Sequence, residues 1–258
     1  MSDIYQHFRK DEEPFIDQAL EWKRIVAEQY RLKLTDFLDP REQVILTSVI
    51  GQSDEVKLDF FGGVPEAERK RAVLYPEYAE PSAEDYQLQA YEVLYPEKFA
   101  SIEHRKLLGS LMGIGLKRQK FGDLIFAGGT WQFICSEEVA DFVFSQLTHI
   151  GRVKVSLEKI PLLKLKVPEQ DVEIRDDTVS SLRLDTICSA VSRQSRQKAH
   201  VLVKNGLVKV NWKVIEDPSY SLAEGDMLSV RGFGRFKLKN IDGKTKKGKW
   251  RLSFEKQK

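Results

Sequence analysis

The sequence predicts an α+β protein in successive parts, and three observations predict it. Helix-period and strand-period runs both occur within residues 1–80, and residues 81–165 order them as β-α-β-β-α-β. Beyond an acidic stretch, two short helical patterns lead into a tight turn and a final set of alternating strands. Charge divides along the same line. Residues 1–174 hold 22 Lys+Arg against 30 Asp+Glu, a net of −8, and residues 175–258 hold 19 against 9, a net of +10. The whole-chain charge of +2 therefore hides an acidic body with a basic end, the distribution expected of a protein that presents one module to a polyanion.

In the N-terminal part, 1–80, the spacing predicts a helix over Pro14–Tyr30, with Phe15, Leu20, Trp22 and Ile25 supplying much of its apolar character. Asp39-Pro40-Arg41-Glu42 reads as a capping box with proline at the first helical position. The helix it opens should carry Val44, Ile45 and Val49 and stop at Gly51. Val56–Phe61 alternates as a strand that halts at Gly62-Gly63, and a shorter strand is expected near Ala72–Tyr75. The scattered acids here read as a solvated surface.

The middle part, 81–165, is expected to run Tyr86–Leu94 (strand), Ile102–Met112 (helix), Leu124–Ala127 and Thr130–Cys135 (a hairpin turning at Gly128-Gly129). Val139–Leu147 follows as a helix with Ser136 as a candidate cap, and Val153–Leu157 closes the set. This is the split order of ferredoxin-like and RNA-recognition folds. The aromatics that stack bases in RNA-recognition domains are not evident on its strands. Its best candidate for a working loop is Gly113–Asp123, where glycines bring backbone N–H groups near Lys117, Arg118 and Lys120. Glycines that merely end a helix explain the loop equally well. Walker and dinucleotide glycine spacings are absent, which excludes ATP and NAD binding by those loops.

Residues 166–181 read as an acidic linker: Pro161 and Pro168 interrupt regular structure, and Glu169, Asp171, Glu173, Asp176 and Asp177 follow. Such a segment can also order as a strand against either neighbour.

The basic module, 182–258, carries the most specific pattern. Arg183-Leu184 opens a helix with Ile187, Cys188 and Val191 on its apolar side, and Ser195 is positioned to cap a second helix carrying Ala199, Leu202 and Val203. Gly206 tolerates the left-handed conformation that ends it, and Val208 and Val210 alternate with Lys209 and Asn211 as a half-buried strand. Arg183, Arg193, Arg196, Lys198, Lys204 and Lys209 fall within 27 residues. The N–H groups at the Ser195 end, beside Arg196 and Lys198, form an expected phosphate seat. A solvated Arg- and Lys-rich surface is the competing explanation of the cluster. Asp217-Pro218 and Glu224-Gly225-Asp226 read as turns flanking apolar Tyr220 and Leu222, before Met227, Leu228 and Val230. From Arg231 the tail holds 11 Lys+Arg against 2 acids. Phe236 and Leu238 should face inward and leave Arg235, Lys237 and Lys239 outside. Asp242-Gly243 is expected to begin a basic turn containing Lys244, Lys246 and Lys247, with Trp250, Leu252 and Phe254 on the returning strand.

Several spaced features of this module together resemble the RNA-binding domain named after small-subunit ribosomal protein S4. They are Arg183-Leu184-Asp185, Ser195-Arg196, Ala199, Lys204-Asn205-Gly206-Leu207-Val208, Val210-Asn211 and Gly225-Asp226. Most members of that family have Asn-Gly in the hairpin, where this chain has Asn211-Trp212 followed by Lys213. With the order of modules and the Arg231-Gly232-Phe233-Gly234-Arg235 run, the whole chain is similar to the bacterial YlmH proteins. The resemblance implies an RNA-binding factor of the large ribosomal subunit carrying stalled peptidyl-tRNA, in ribosome-associated quality control, with a connection to cell division and a possible cell-division protein partner. The residues expected to contact rRNA or tRNA are Arg183, Arg193, Ser195, Arg196, Lys198, Lys204, Asn205, Lys209, Arg231, Arg235, Lys237, Lys244, Lys246 and Lys247. Lys117, Arg118 and Lys120 form an expected second contact.

No run approaches the roughly 20 apolar residues of a membrane span, and the first residues lack the apolar core of a secretion signal. Cys135 and Cys188, with four histidines, make neither a disulfide framework nor a metal-site pattern, and both read as buried fillers. A cytoplasmic protein without metal or cofactor is expected. The alternative classes are an RNA-modifying enzyme and a cell-division adaptor that binds mainly protein. No methyl-donor loop, synthetase signature or pseudouridine-synthase aspartate motif is evident in the first 174 residues, so no catalytic residue is expected.

Overall fold

Glu13–Gln29 form the first helix (α1), with Pro14 in its opening turn and Tyr30 closing it in the left-handed region. Its core stripe is Ile16, Ala19, Trp22 and Val26, spaced three or four apart as one face requires. Trp22 lies on that stripe as expected, whereas Phe15, Leu20 and Ile25 are only half-buried on its flanks. The computed structural model describes residues 5, 8–51, 55–167 and 172–257, and they fall into two compact units, Met1–Glu169 and Gln170–Lys258.

The next element, the strand Lys33–Leu38 (β1), was not expected from the sequence. Its buried positions include Thr35, which an apolar-alternation reading passes over. The hydroxyl is satisfied inside the fold, accepting from the Ala72 amide at 2.9 Å and donating to the Asp36 carbonyl at 2.7 Å. Helix α2, Pro40–Ile50, is opened by the capping box: Asp39 accepts from the Glu42 amide at 2.9 Å and Glu42 from the Asp39 amide at 2.7 Å. Gly51, at φ 63°, stops it. Ile45, Leu46, Val49 and Ile50 face the core. Val44, expected there, is exposed. Val56–Phe61 (β2) and Lys70–Pro76 (β3) complete an antiparallel sheet of order β1-β3-β2.

The rest of this unit runs Leu88–Leu94 (β4), His104–Gly113 (α3), Phe121–Ala127 (β5), Thr130–Ser136 (β6) and Glu137–Gln146 (α4). A small hairpin, His149–Ile150 (β7) with Val153–Lys154 (β8), precedes Ser156–Ile160 (β9). The expected closing strand over Val153–Leu157 is therefore split, and the sheet's fourth strand continues to Ile160. Gly128 and Gly129, at φ 58° and 80°, supply the positive dihedrals of the tight β5–β6 turn. Ser136 occupies the N-cap of α4, but its hydroxyl makes no cap hydrogen bond. The antiparallel order β5-β6-β4-β9 places second, third, first and fourth strands side by side, the ferredoxin-like interleaving.

Both faces of that sheet are covered. On one, Tyr91, Val93, Trp131, Phe133 and Cys135 pack with Leu107, Leu111, Ala140 and Val143 of the helices. On the other, Ala90, Ile125, Ala127, Ile134 and Ile160 pack with Phe37, Val64 and Ala67 from the N-terminal part. Buried Arg71 ties the two parts, donating to the Thr35, Tyr86 and Gln87 carbonyls. Residues 162–166 cross the same face: Gln132, buried, accepts from the Lys166 amide at 2.8 Å, and Leu162 and Leu165 join the apolar cluster.

The C-terminal unit begins with Val172–Val179 (β10), followed by Leu184–Ser192 (α5), Arg196–Lys204 (α6), Val208–Val210 (β11), Lys213–Val214 (β12), Met227–Val230 (β13), Gly234–Lys244 (β14) and Trp250–Gln257 (β15). One antiparallel sheet joins them in the order β10-β15-β14-β13-β11-β12. Both helices bury their apolar sides against it: Leu184, Ile187, Cys188, Val191, Ala199 and Val203 meet Val208, Val210, Val230, Phe236, Leu238, Leu252 and Phe254. The expected acidic linker is thus corrected over 172–179, which pair along their whole length with β15 from Val172↔Gln257 to Val179↔Trp250. Pro168, Glu169 and Asp171 lie outside the described residues. A second correction concerns Asp242-Gly243, which lies within β14 at an irregular register rather than opening a turn. The chain reverses over 245–249 instead, where Thr245 and Lys249 exchange hydrogen bonds. Tyr220, expected as apolar filling, is 39% exposed.

Candidate nucleic-acid interface

The basic module is organised around an acid. Asp185, in the first turn of α5, is 2% exposed, and its carboxylate sits between two arginines that are eleven and two positions away in sequence. Arg183 Nε donates to Oδ1 at 3.2 Å, and Arg196 Nη2 reaches Oδ2 at 3.1 Å while its Nε donates at 3.2 Å. Thr186 adds its hydroxyl at 3.2 Å. Burial opposes ionisation of Asp185, but the hydrogen bonds from Arg183 and Arg196 outweigh it and hold the carboxyl below its usual range. Both guanidinium groups remain open to solvent, with side-chain exposures of 44% and 56%. The arrangement orders two cations at the surface without consuming them. Sequence reasoning placed both arginines on this face and missed what holds them; the signal was the acid between Leu184 and Thr186, on an otherwise buried turn.

Ser195 caps α6 as expected, accepting from the Lys198 amide at 3.3 Å. The amides of Arg196 and Gln197 stay outside the helix's own ladder, beside the exposed Lys198 side chain. Between the helices the chain turns at Arg193, which holds a left-handed conformation, φ 53° and ψ 34°. The amides of Arg193 and Gln194 bond back to Ala190 and Ser189 carbonyls, closing α5 with a Schellman motif. That position ordinarily takes glycine, and an exposed arginine occupies it here.

Lys204 and Asn205 lie at the far end of α6, about 12 Å along the axis from Arg196. Gly206, at φ 66°, lets the Leu207 amide reach the Leu202 carbonyl and end the helix. The Asp217 carboxyl is held low by Ser219, first through its side chain, then through its amide, and further by the charges of Lys204 and Arg183.

The remaining expected contacts stand elsewhere. Lys209 pairs with Ser229 and Ser229 with Arg235, so Lys209 and Arg235 share the sheet face away from the helices, roughly 10 Å apart. Lys237 follows on the same face. Arg231 is exposed in the β13–β14 turn. Lys244, Lys246 and Lys247 sit at the far end of the β14–β15 hairpin, nine or more residues from Arg235, on the order of 30 Å along a strand. There Lys244 Nζ lies over the Trp250 ring at 4.6 Å. One cluster in sequence therefore becomes three basic surfaces: the helix face, the outer sheet face and the hairpin tip.

The three cations of the expected second contact in the middle part stand in different surroundings. Arg118 turns inward and donates to the Phe121 and Gly122 carbonyls at 2.6 and 3.0 Å, and burial lowers its pKa to about 10. Lys120 is spent on two carboxylates, Asp36 at 2.7 Å and Glu138 at 2.5 Å. Lys117 alone of the three is exposed. Both cations were basic in sequence for structural reasons: they neutralise acids and satisfy carbonyls where the loop closes on β5. Cys135 and Cys188 are buried, with burial pushing their thiols up to about 12 and about 11. Among the described residues no three His, Cys, Asp or Glu side chains gather as a metal site requires, and no helix is long and apolar enough to cross a membrane.

The comparisons with known proteins follow this division of the chain. Residues 11–79 match the family profile described as YlmH, N-terminal; 81–164 match the putative RNA-binding domain in YlmH; and 182–228 match the S4 domain. The ribosome-associated protein quality control protein P2 of Bacillus subtilis (strain 168) is 69% identical over 258 residues, covering 100% of both chains. Among solved structures, the cell division protein ylmH from Streptococcus pneumoniae is 30% identical with a TM-score of 0.54, covering 63% of this chain and 99% of that one.

Proposed function

Because the chain belongs to the YlmH family, we propose that it is a non-catalytic RNA-binding factor of the ribosome, and that it acts on the large subunit carrying stalled peptidyl-tRNA. One observation carries the RNA-binding reading. A buried carboxylate, Asp185, fixes two solvent-facing arginines beside the capped N-terminus of α6. A buried charge must be paired to be tolerated at all, and here both pairing groups are arginines left at the surface. Its product is a pair of guanidinium forks held at the surface, the group that suits bidentate phosphate recognition. The ribosome and quality-control parts of the reading are supported by the name of the Bacillus subtilis relative, and its RNA-binding part by the S4 domain. A cell-division protein is a second proposed partner class, supported by the name of the pneumococcal structure.

Within this reading the middle part is a scaffold, not a base-stacking platform, because the strands that would present bases are covered on both faces. Crosslinking of the intact protein in cells, followed by sequencing of the attached RNA, tests the proposal. Enrichment at large-subunit rRNA and tRNA is expected. Crosslinks confined to messenger or small-subunit RNA reject the large-subunit assignment. A main complex that survives complete nuclease digestion would replace it with protein recognition.

A further inference from the structure

On the helix side of the C-terminal unit, α6 and the β13–β14 turn flank an open pocket of about 440 Å³ whose lining includes no arginine. It is lined by Gln194, Gln197, Lys198, Val201, Leu202 and Phe233. We propose that this pocket takes one unpaired nucleobase of the bound RNA, an inference that rests on the RNA-binding reading above.

The chemistry of the lining argues for that occupant. Phe233 offers an aromatic ring and is held in place by its turn. Glycines at φ 86° and 109° flank it, and its amide bonds to the Val230 carbonyl at 3.0 Å. The ring packs partly against the core and so is oriented before any ligand arrives. Val201, 50% exposed, and Leu202 provide an apolar wall. Gln194 and Gln197 bring amides, which both donate and accept, the equipment for reading a base edge. Gln194 is fixed at the Schellman turn, where Ser189 Oγ donates to its carbonyl at 2.6 Å. Lys198 supplies a cation at the rim for the flanking phosphate, and none of the six lining residues is acidic. An apolar protein side chain would use the wall and leave amides and cation idle. A flat, polar-edged base with a phosphate attached uses all of them.

The test compares two RNAs on the full-length protein: a hairpin with one bulged 2-aminopurine, and the same stem with the bulge deleted. The bulged RNA should bind about 5- to 150-fold more tightly, the range of base–aromatic stacking, and its fluorescence should be quenched on binding. Phe233→Leu keeps an apolar side chain against the core and removes the π face. It should abolish preference and quenching while leaving affinity for the plain stem unchanged, and Phe233→Tyr should restore both. Equal parental affinity for the two RNAs without quenching overturns the base pocket and leaves RNA binding standing. A Phe233→Leu protein that melts like the parent and keeps its preference also overturns it, and assigns the pocket to an apolar protein group. Binding of neither RNA overturns this inference and the RNA-binding reading together.

Discussion

Replacing Arg193 with glycine should make the protein more stable and worse at binding RNA. Arg193 sits at φ 53° and ψ 34° with its amide bonded to Ala190. A left-handed L-residue costs roughly 1–2 kcal/mol, which glycine avoids, while the extra freedom of glycine in the unfolded chain returns roughly 0.5–1 kcal/mol. The net expectation is a gain of about 0.5–1 kcal/mol, or ~2–6 °C in the melting temperature of a unit this size. The Schellman hydrogen bonds are made by backbone atoms, so glycine keeps them. Arg193→Ala is the matched control, because it removes the charge and retains the strained dihedral. Both variants should lose RNA affinity alike and flatten the salt dependence by roughly one unit. Only the glycine variant should gain stability. Calorimetry of the full chain and fluorescence anisotropy across a salt series read the two effects separately. A lower melting temperature for Arg193→Gly would refute the strain argument. Parental affinity in both folded variants would refute the placement of Arg193 on the interface.

Four further outcomes follow from named contacts. Arg196→Ala and Lys198→Ala should each weaken RNA binding in a folded protein, but Arg196→Ala should also cost up to about 1 kcal/mol because it strips a partner from Asp185; circular dichroism melts beside ribosome-binding assays at matched salt check both. Since the carboxyl of Asp185 is held below its unfolded value, its contribution to stability is fully present above about pH 4 and is lost as pH falls through the lower folded value. Asp185→Asn should therefore flatten the acid limb of the stability curve, measured by urea midpoints across the acid range. Changing Lys244, Lys246, Lys247 and Lys249 to Gln should lower RNA affinity and the salt slope, and unchanged values in a folded variant would confine the contact to the helix and sheet faces. Lys244→Gln alone should also cost about 0.5–1 kcal/mol, because that lysine lies over Trp250.

What was legible in the sequence was whatever local chemistry dictates. Asp39-Pro40-Arg41-Glu42 and Ser195 announced their helices because capping needs those residue types at those offsets. Gly128-Gly129 and Gly206 announced their turns because the dihedrals there are positive. The misreadings share another cause. Strand β1 hides behind Thr35, a polar core residue satisfied by a hydrogen bond from Ala72, 37 positions away. The acidic stretch reads as a linker until β15, some eighty residues later, pairs with it. Arg118 and Lys120 look like free cations until their carbonyls and carboxylates arrive from the fold. Local rules cannot see partners set by long-range packing.

The same distinction governs the two parts that carry RNA-binding descriptions. Fold type alone would make the middle sheet the better RNA platform, since its strand order is the one that displays bases elsewhere. Packing reverses that ranking: Phe37, Val64, Ala67 and residues 162–166 occupy the face where bases would lie, and two of its three loop cations are internally paired. In the C-terminal unit the opposite holds. Its helices pack their apolar sides on the sheet, and the buried acid at Asp185 holds two arginines at the surface. A family likeness thus supplies the expectation of RNA binding for both parts, and burial and pairing favour the C-terminal unit for the contact we propose.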